Sequence, residues 1–307
     1  MRRALVATLA TATLIALLAI LLPQDWRDRA LDALNATAER WAITPPWIWA
    51  AAFAGLSICY LSRAARIWFE WRTETGLSST QVLRLSLQHN AAVYLLPMRA
   101  GELSFPLLMR QHAGVSLADA GLSLVALRAQ DATVVSALSL SVIWPAPLSF
   151  ATSFGLIVLA AWLWRHLHAW QPRGPRLQRL AAALRRSRTD WVGWSLSLLM
   201  WSTKLALIAL LLMQLGGLDA HVAFGGALGG EFAAALPVQG PASLGNYEAS
   251  VVGGVMLVVR ASGTFSLEQV AAAALAVHLF FLGVACGAGA LAWLVTPWRM
   301  RRTVALA

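Results

Sequence analysis

Charge is scarce in this sequence. Only 12% of its 307 residues are Asp, Glu, Lys or Arg, about half of the roughly 25% usual in soluble domains. Hydrophobic residues make up 59% and the mean hydropathy is +0.64. This excludes an ordinary soluble domain. Several apolar runs approach the ~20 residues that cross a hydrocarbon layer of ~30 Å. The expected class is an all-α polytopic membrane protein. Alternation of period two is weak, which argues against a membrane β-barrel.

Cysteine is nearly absent too. Cys59 and Cys286 both lie in apolar runs and have no metal-site spacing, so a disulfide framework and a cysteine metal centre are excluded. Both read as small hydrophobes. Also missing are a nucleotide loop, an HExxH helix, a CxxC set and a G-x-S-x-G elbow. The glycine-rich GALGGE (226–231) fits no phosphate-loop spacing. Ser243, Tyr247 and His278 form no convincing catalytic arrangement. The expectation is a protein that is not an enzyme and uses no cofactor and no metal.

Basic residues are plentiful by contrast, and the net charge is +10. Most of the arginines fall in short connections between apolar runs. That is a topology signal of inner-membrane proteins and not a nucleic-acid signal; anionic lipid is attracted by the same charges. Six segments are long enough to span: 4–22, 45–62, 117–144, 149–165, 191–215 and 267–296. The first resembles a signal peptide, but its apolar run is long and no clear cleavage site follows, so it reads as a retained span. With the N-terminus inside, seventeen basic residues, including Arg63, Arg66 and Arg72, lie on the cytoplasmic side and four on the other. Arg99, Arg128 and Lys204 remain within apolar surroundings. The charge bias places both termini in the cytoplasm of a cell inner membrane.

The segments 81–112 and 221–260 share one design. Each has an apolar arm of about 16 residues, a Pro-containing break (LLPMRAGELSFP and LPVQGPASLGNYE) and a return. A helix of 16 residues rises only ~24 Å. Broken backbone at membrane depth is tolerated where protein or water satisfies it. The expectation is two re-entrant helix hairpins, with short tilted spans as the alternative. Pro97, Gly101, Pro237, Gly240 and Gly245 are the candidate tip residues, Gly101 as a turn-forming residue. The order then repeats with inverted topology, as in secondary transporters. The expected organisation is one membrane domain. It comprises 1–44 (first span and outer amphipathic segment 25–42), 45–144, the connecting span and Arg-rich linker 145–190, 191–296 and a tail 297–307. The linker 165–188 reads as an amphipathic surface helix.

An embedded charge needs a partner or a task. Arg99 and Glu102 sit at the first tip, and Arg128 and Asp131 sit on one helix. Each is an i,i+3 pair that either neutralises itself or holds an arginine ready for a phosphate. Glu248 opens the returning arm of the second hairpin. It either complements a helix dipole or faces a cation such as Arg99, Arg128 or Lys204. Lys204 reads as snorkelling to the cytoplasmic surface, and Glu231 as facing the outer interface. His278 is a candidate proton carrier with Glu248, and Asn90 and Tyr247 are further polar candidates.

Three stretches carry a family likeness. They are HNAAVYLLPMRAGELSFPLLMRQHAGVSLADA, LVALRAQD and LPVQGPASLGNYEA. In order and spacing they resemble the flippase-like integral membrane family, named after the transmembrane region of lysylphosphatidylglycerol synthase. Met98 and Pro241 depart from its glycine-richer pattern. No soluble aminoacyl-transfer domain follows Ala307, so the likeness implies translocation and not lysyl transfer. The positions it matches are Asn90, Pro97, Arg99, Gly101, Glu102, Arg128, Asp131, Pro237, Gly245 and Glu248. The resemblance implies a phospholipid or isoprenoid-phosphate-linked lipid as substrate. The alternative is a non-transporting accessory subunit with a membrane glycosyltransferase or lipid synthase as partner. A homo-oligomer stays open.

Overall fold

A computed structural model of the chain describes residues 24–96, 99–143, 148–167, 191–233, 241–259 and 266–295, with a few positions between 171 and 182. The expected span 4–22, the tip residues Pro97, Pro237 and Gly240, most of the linker 165–188 and the tail 297–307 lie outside the described residues. Among the described residues the protein is all-helical. Residues 1–44 and 45–307 form two compact units. In the first, α1 (Gln24–Ile43) covers the expected amphipathic segment. The rest concerns the second unit.

Its helices are α2 (Pro46–Thr75), α3 (Ser79–Leu95), α4 (Ser104–Ala113), α5 (Leu117–Ile143) and α6 (Leu148–Leu167). They continue with α7 (Trp191–Gly216), α8 (Ala220–Ala233), α9 (Asn246–Val258) and α10 (Leu267–Leu294). Three of them, α2, α7 and α10, are long and apolar enough to cross a membrane. The pieces of the two expected hairpins are shorter, 17 and 10 residues for α3 and α4, and 14 and 13 for α8 and α9. At 1.5 Å per residue none reaches ~30 Å.

The helix starts follow local chemistry. Pro46 occupies the first turn of α2, where its missing N–H costs nothing. Ser78 and Gln81 exchange bonds in a capping box at α3: the Gln81 N–H donates to Ser78 Oγ (3.3 Å) and the Ser78 N–H to Gln81 Oε1 (2.9 Å). At α5 the Asp119 N–H donates to Ser116 Oγ (3.1 Å), and at α10 the Gln269 N–H donates to Ser266 Oγ (3.4 Å).

One boundary differs from expectation. The span 45–62 was expected to stop at 62, but α2 runs thirteen residues further, to Thr75. Nothing between Leu56 and Thr75 breaks a helix. The end comes at Gly76, whose φ of 63° closes the last turn through its N–H to Arg72 O (3.2 Å). Arg63 and Arg66 are therefore helical residues on an inward face and not loop charges. Without them the expected charge bias is fifteen against four.

Two sets of helices share one plan. The first is α2, α3, a 3-10 turn (Ala100–Leu103), α4 and α5. The second is α7, α8, a 3-10 turn (Pro241–Ser243), α9 and α10. Packing follows the plan as well. α2 crosses α7, α3 packs on α10, and α8 packs on α5. Within the sets, α2·α3 matches α7·α8, α3·α4 matches α8·α9, and α4·α5 matches α9·α10. The register agrees in detail. Gly217 ends α7 as Gly76 ends α2, with φ of 64° and its N–H on Met213 O (3.0 Å). A leucine follows each glycine. Ser116-Leu117 and Ser266-Leu267 open α5 and α10 alike.

Small residues allow this packing, because helices in lipid gain little from the hydrophobic effect and approach each other through van der Waals contact. The α8–α9 pair is the tightest. A Cβ on Gly229 would lie 2.1 Å from Ser250 O, and one on Gly225 would lie 2.3 Å from a Val258 methyl. These contacts run down α9 as they run up α8, so the two helices are antiparallel. GALGGE is therefore a packing surface. Gly101 also differs from expectation. It is not a positive-φ turn residue; a Cβ there would sit 2.3 Å from Ala92 O, so it is a close-approach position that lets the first tip lie on α3.

Candidate functional site: a charged cavity between the two broken helices

α2 places Arg63, Arg66 and Glu70 on one face, at i, i+3 and i+7. That face meets α3 and α5. Arg63 Nη1 donates to Asn90 Oδ1 of α3 (2.8 Å). Arg66, 4% exposed, is ion-paired with Asp131 of α5 and also donates to Gln130 Oε1 (2.6 Å). Ser197 of α7 donates to the same Asp131 oxygen (3.0 Å). Ser123 of α5 donates to Glu70 Oε1 (2.6 Å) and accepts from Trp71 Nε1 (3.2 Å).

At the first tip, Arg99 adopts φ 58°, a left-handed conformation that costs a side-chain-bearing residue energy. Glu102 turns back from it, its N–H on Arg99 O (2.9 Å). Both Glu102 oxygens accept from Arg128 Nη2, at 2.8 and 3.1 Å. Arg128 reaches Asp131 only at 3.7 Å. So Arg128 does not simply neutralise its own helix neighbour, and Asp131 belongs chiefly to Arg66. His89 lies behind the tip, with Nδ1 2.8 Å from Ser104 Oγ and Nε2 3.7 Å from Glu102.

In the second set, Lys204 Nζ donates to Glu231 Oε2 (2.7 Å) and lies 5.2 Å from the centroid of the Trp201 ring. Both residues are largely buried. This corrects two expectations. Lys204 does not snorkel away, and Glu231 does not face the outer interface, because a buried acid and a buried base one helix apart neutralise each other more cheaply than either alone. Glu248 also has a different partner from the expected arginines or Lys204. Its Oε1 is 2.8 Å from His278 Nδ1, and its Oε2 accepts the Gly245 N–H (2.7 Å), with Gly245 at φ 84°. Helix-end capping and side-chain pairing therefore coexist in one carboxylate. Tyr247 packs its ring 4.6 Å from that of His278. The second tip holds two left-handed residues as well, Ala242 (φ 53°) and Ser243 (φ 58°).

These groups surround one cavity of about 350 Å³. Among the expected residues Arg99, Arg128, Glu102, Asp131, Asn90, Tyr247 and His278 line it, and Glu248 stands directly behind His278. Pro97, Pro237 and Gly240 lie outside the described residues. Residues the sequence reading did not place there are Arg63, Lys204, Glu231, Tyr94 and Trp201. The i, i+3, i+7 spacing of Arg63, Arg66 and Glu70 on an unbroken helix was the available signal for the first of these. The pairing of Lys204 with Glu231 had no local signal.

The two sets use equivalent positions. Arg63 lies thirteen residues before Gly76, and Lys204 thirteen before Gly217. Asn90 follows Arg63 by 27 residues, and Glu231 follows Lys204 by 27. Arg128 is eleven residues into α5 from Leu117, and His278 eleven into α10 from Leu267. The bonds correspond in the same way: Arg63–Asn90 with Lys204–Glu231, and Arg128–Glu102 with His278–Glu248. Asp131 and Phe281 are likewise equivalent, and both line the cavity. Cys59 Sγ donates to Met200 O (3.4 Å) where α2 crosses α7; Cys59 is buried and Cys286 partly so, both as free thiols. Among the described residues no cluster of His, Cys, Asp and Glu is arranged to hold a metal. Compared with protein-family models, curated proteins and solved structures, the chain finds no match.

Proposed function

We propose that the protein moves a lipid with an anionic headgroup across a bacterial-type inner membrane, as a member of the flippase-like family it resembles. In this reading the six spans carry two re-entrant hairpins in an inverted repeat, with both termini in the cytoplasm. The matched packing and register of the two helix sets support the repeat, and the shortness of α3, α4, α8 and α9 supports re-entry. The cavity between the tips receives the headgroup while the acyl or isoprenoid tail stays in lipid.

One observation carries the reading. Around the cavity and its paired groups stand five cations (Arg63, Arg66, Arg99, Arg128, Lys204) and four carboxylates (Glu102, Asp131, Glu231, Glu248). The surplus is one positive charge with His278 neutral. Arg63 contributes to it, because the position equivalent to Glu231 is the uncharged Asn90. A half-buried guanidinium with an amide for a partner is costly in hydrocarbon, and it suits a phosphodiester monoanion, which it meets with bidentate geometry.

Translocation of fluorescent phosphatidylglycerol in proteoliposomes, read by quenching from outside, tests this. Wild type moves the probe, Arg63→Gln slows it at least about tenfold, a loss of ~1.4 kcal/mol of headgroup binding, and a phosphatidylcholine probe moves poorly. Equal movement by wild type and Arg63→Gln would overturn the reading. Absence of all movement together with co-purification of a stoichiometric lipid synthase would favour the accessory-subunit role.

A further inference from the structure

Each tip acid is held by a side chain on the next long helix, and the two holders differ in kind. Glu102 is held by Arg128, which carries its charge at every physiological pH. Glu248 is held by His278, at the equivalent position of α10, an imidazole that can take up and release a proton. We propose that His278 is the proton-dependent counterpart of Arg128, so that the second hairpin tip is clamped when His278 is protonated and loosened when it is neutral. This deepens the translocation reading and rests on it only for the link to lipid movement.

The geometry gives the steps. Glu248 Oε2 accepts the Gly245 N–H, as an ionised carboxylate does. Its Oε1 then takes the proton on His278 Nδ1, which leaves Nε2 of the neutral ring as the atom that binds an incoming proton. Protonation turns the 2.8 Å hydrogen bond into a charge-assisted one of about twice the strength. Because Glu248 also bonds the Gly245 N–H, that gain is transmitted to the backbone of the tip. The cavity's positive surplus rises from one to two in the same step. An anionic headgroup is therefore held best with the proton on His278, and loss of the proton loosens both tip and headgroup.

The groups that face His278 fit this role. From α9 come Glu248 and the Tyr247 ring; from α3, packed on α10, comes Tyr94; from α7 and α2 come Lys204 and Arg63, and from α8 Glu231. Lys204 and Glu231 neutralise each other, and the two tyrosines are neutral at physiological pH. Across the cavity, Arg128 is paired with Glu102 and Asp131 with Arg66, and Arg99 lines the wall as well; Glu248 is in contact with His278, and Arg63 is bonded to the uncharged Asn90. A headgroup phosphate on Arg63 lowers the positive charge that opposes the imidazolium, so proton and anion assist each other.

Hydrogen exchange of the Gly245–Tyr247 amides tests the clamp. The full-length protein is placed in nanodiscs of mixed phosphatidylcholine and phosphatidylglycerol, and protection is compared between variants at each pH across about 5.5 to 8, the range of histidine titration. In wild type the tip is about tenfold more protected at the acid end, a coupling of ordinary size. His278→Arg keeps it protected throughout, and His278→Gln leaves it unprotected throughout. A flat wild-type profile, or a His278→Arg profile that follows wild type, overturns the proposal. Should His278→Arg fail to fold, Arg128→His supplies the mirror test: residues 99–102 gain a pH dependence they lack in wild type, and a flat profile there overturns it. Fluorescent phosphatidylglycerol movement is measured in the same lipids. If the tip titrates but no lipid moves in any variant, the clamp stands and the translocation reading falls. If lipid moves with no dependence on pH, the proposal falls and translocation stands.

Discussion

The first helix set holds its interior with charge where the second uses hydrocarbon. Arg66 and Asp131 form a buried ion pair in the first; at the equivalent positions of the second, Leu207 and Phe281 are apolar. Arg128 is a permanent cation where the second set has His278. Only at one level is the first set the less charged: it has Asn90 where the second has Glu231. One helical plan thus carries two chemistries, and their inequality creates a cavity with a surplus of positive charge. Replacing a buried pair by apolar residues is often neutral or stabilising, so the retention of Arg66 and Asp131 calls for a reason other than stability. Their place behind Arg128 gives one: Asp131 is the carboxylate that both arginines share.

The comparison can be broken or sharpened by substitution. The largest effect is expected at the helix contacts that both sets need. Gly229→Val would place a side chain 2.1 Å from Ser250 O, and Gly101→Ala one 2.3 Å from Ala92 O, with backbone on each side. Neither neighbour is able to yield as a flexible side chain does, so each change should cost about 3 kcal/mol or more. Thermal unfolding in detergent, with size-exclusion profiles, checks this; wild-type stability for either variant would refute the contact.

Next in size is the ion pair. Arg66→Leu alone should cost about 3–5 kcal/mol, because it strands Asp131. Arg66→Leu with Asp131→Phe gives the first set the residues of the second and should recover most of that loss. Thermal unfolding of the two single variants and the double completes a cycle, and a double variant no better than the singles would show that the sets are not interchangeable there.

A smaller change in stability, but a large one in transport, is expected for Asn90→Glu. It gives Arg63 the carboxylate that Lys204 already has. Stability should change by no more than about 1 kcal/mol, while movement of an anionic lipid probe falls about tenfold, or ~1.4 kcal/mol. An unchanged transport rate would remove Arg63 from the binding role. The smallest effect is expected outside both sets of clamps. Arg72 lies on the surface, 5.0 Å from the Trp68 and Phe69 ring centroids. Arg72→Ala should cost about 0.5–1 kcal/mol or less and leave transport alone, as unfolding and translocation assays run side by side would show.

Much of the fold was legible in the chain. The expected spans 191–215 and 267–296 appear as Trp191–Gly216 and Leu267–Leu294, and the two breaks fall where proline and glycine interrupt apolar runs. The end of α2 was not legible to hydropathy, because Arg63 and Arg66 lower it just where the helix continues; the missing helix breaker was the better guide. Of the site, Arg99, Glu102, Arg128, Asp131 and Glu248 were visible one by one, while Arg63 and Arg66 were read as loop charges. Their partners were not. Arg99 and Glu102, or Arg128 and Asp131, look like pairs because they are neighbours on the chain. Yet Glu102 is bidentate to Arg128, and Asp131 pairs with Arg66 across 65 residues.

By itself the sequence determined which segments are helical and where they break. Those properties depend on neighbours a few residues away: hydropathy over a turn or two, a proline without its N–H, a serine that caps the next helix. Tertiary structure alone decided who pairs with whom. A buried charge takes the nearest opposite charge in space, and the spatial neighbours of Arg63, Lys204, Glu102 and Glu248 come from helices 26 to 30 residues distant. The packing of two like sets of helices brought those positions to one cavity and set Arg63 on an amide where Lys204 has a carboxylate.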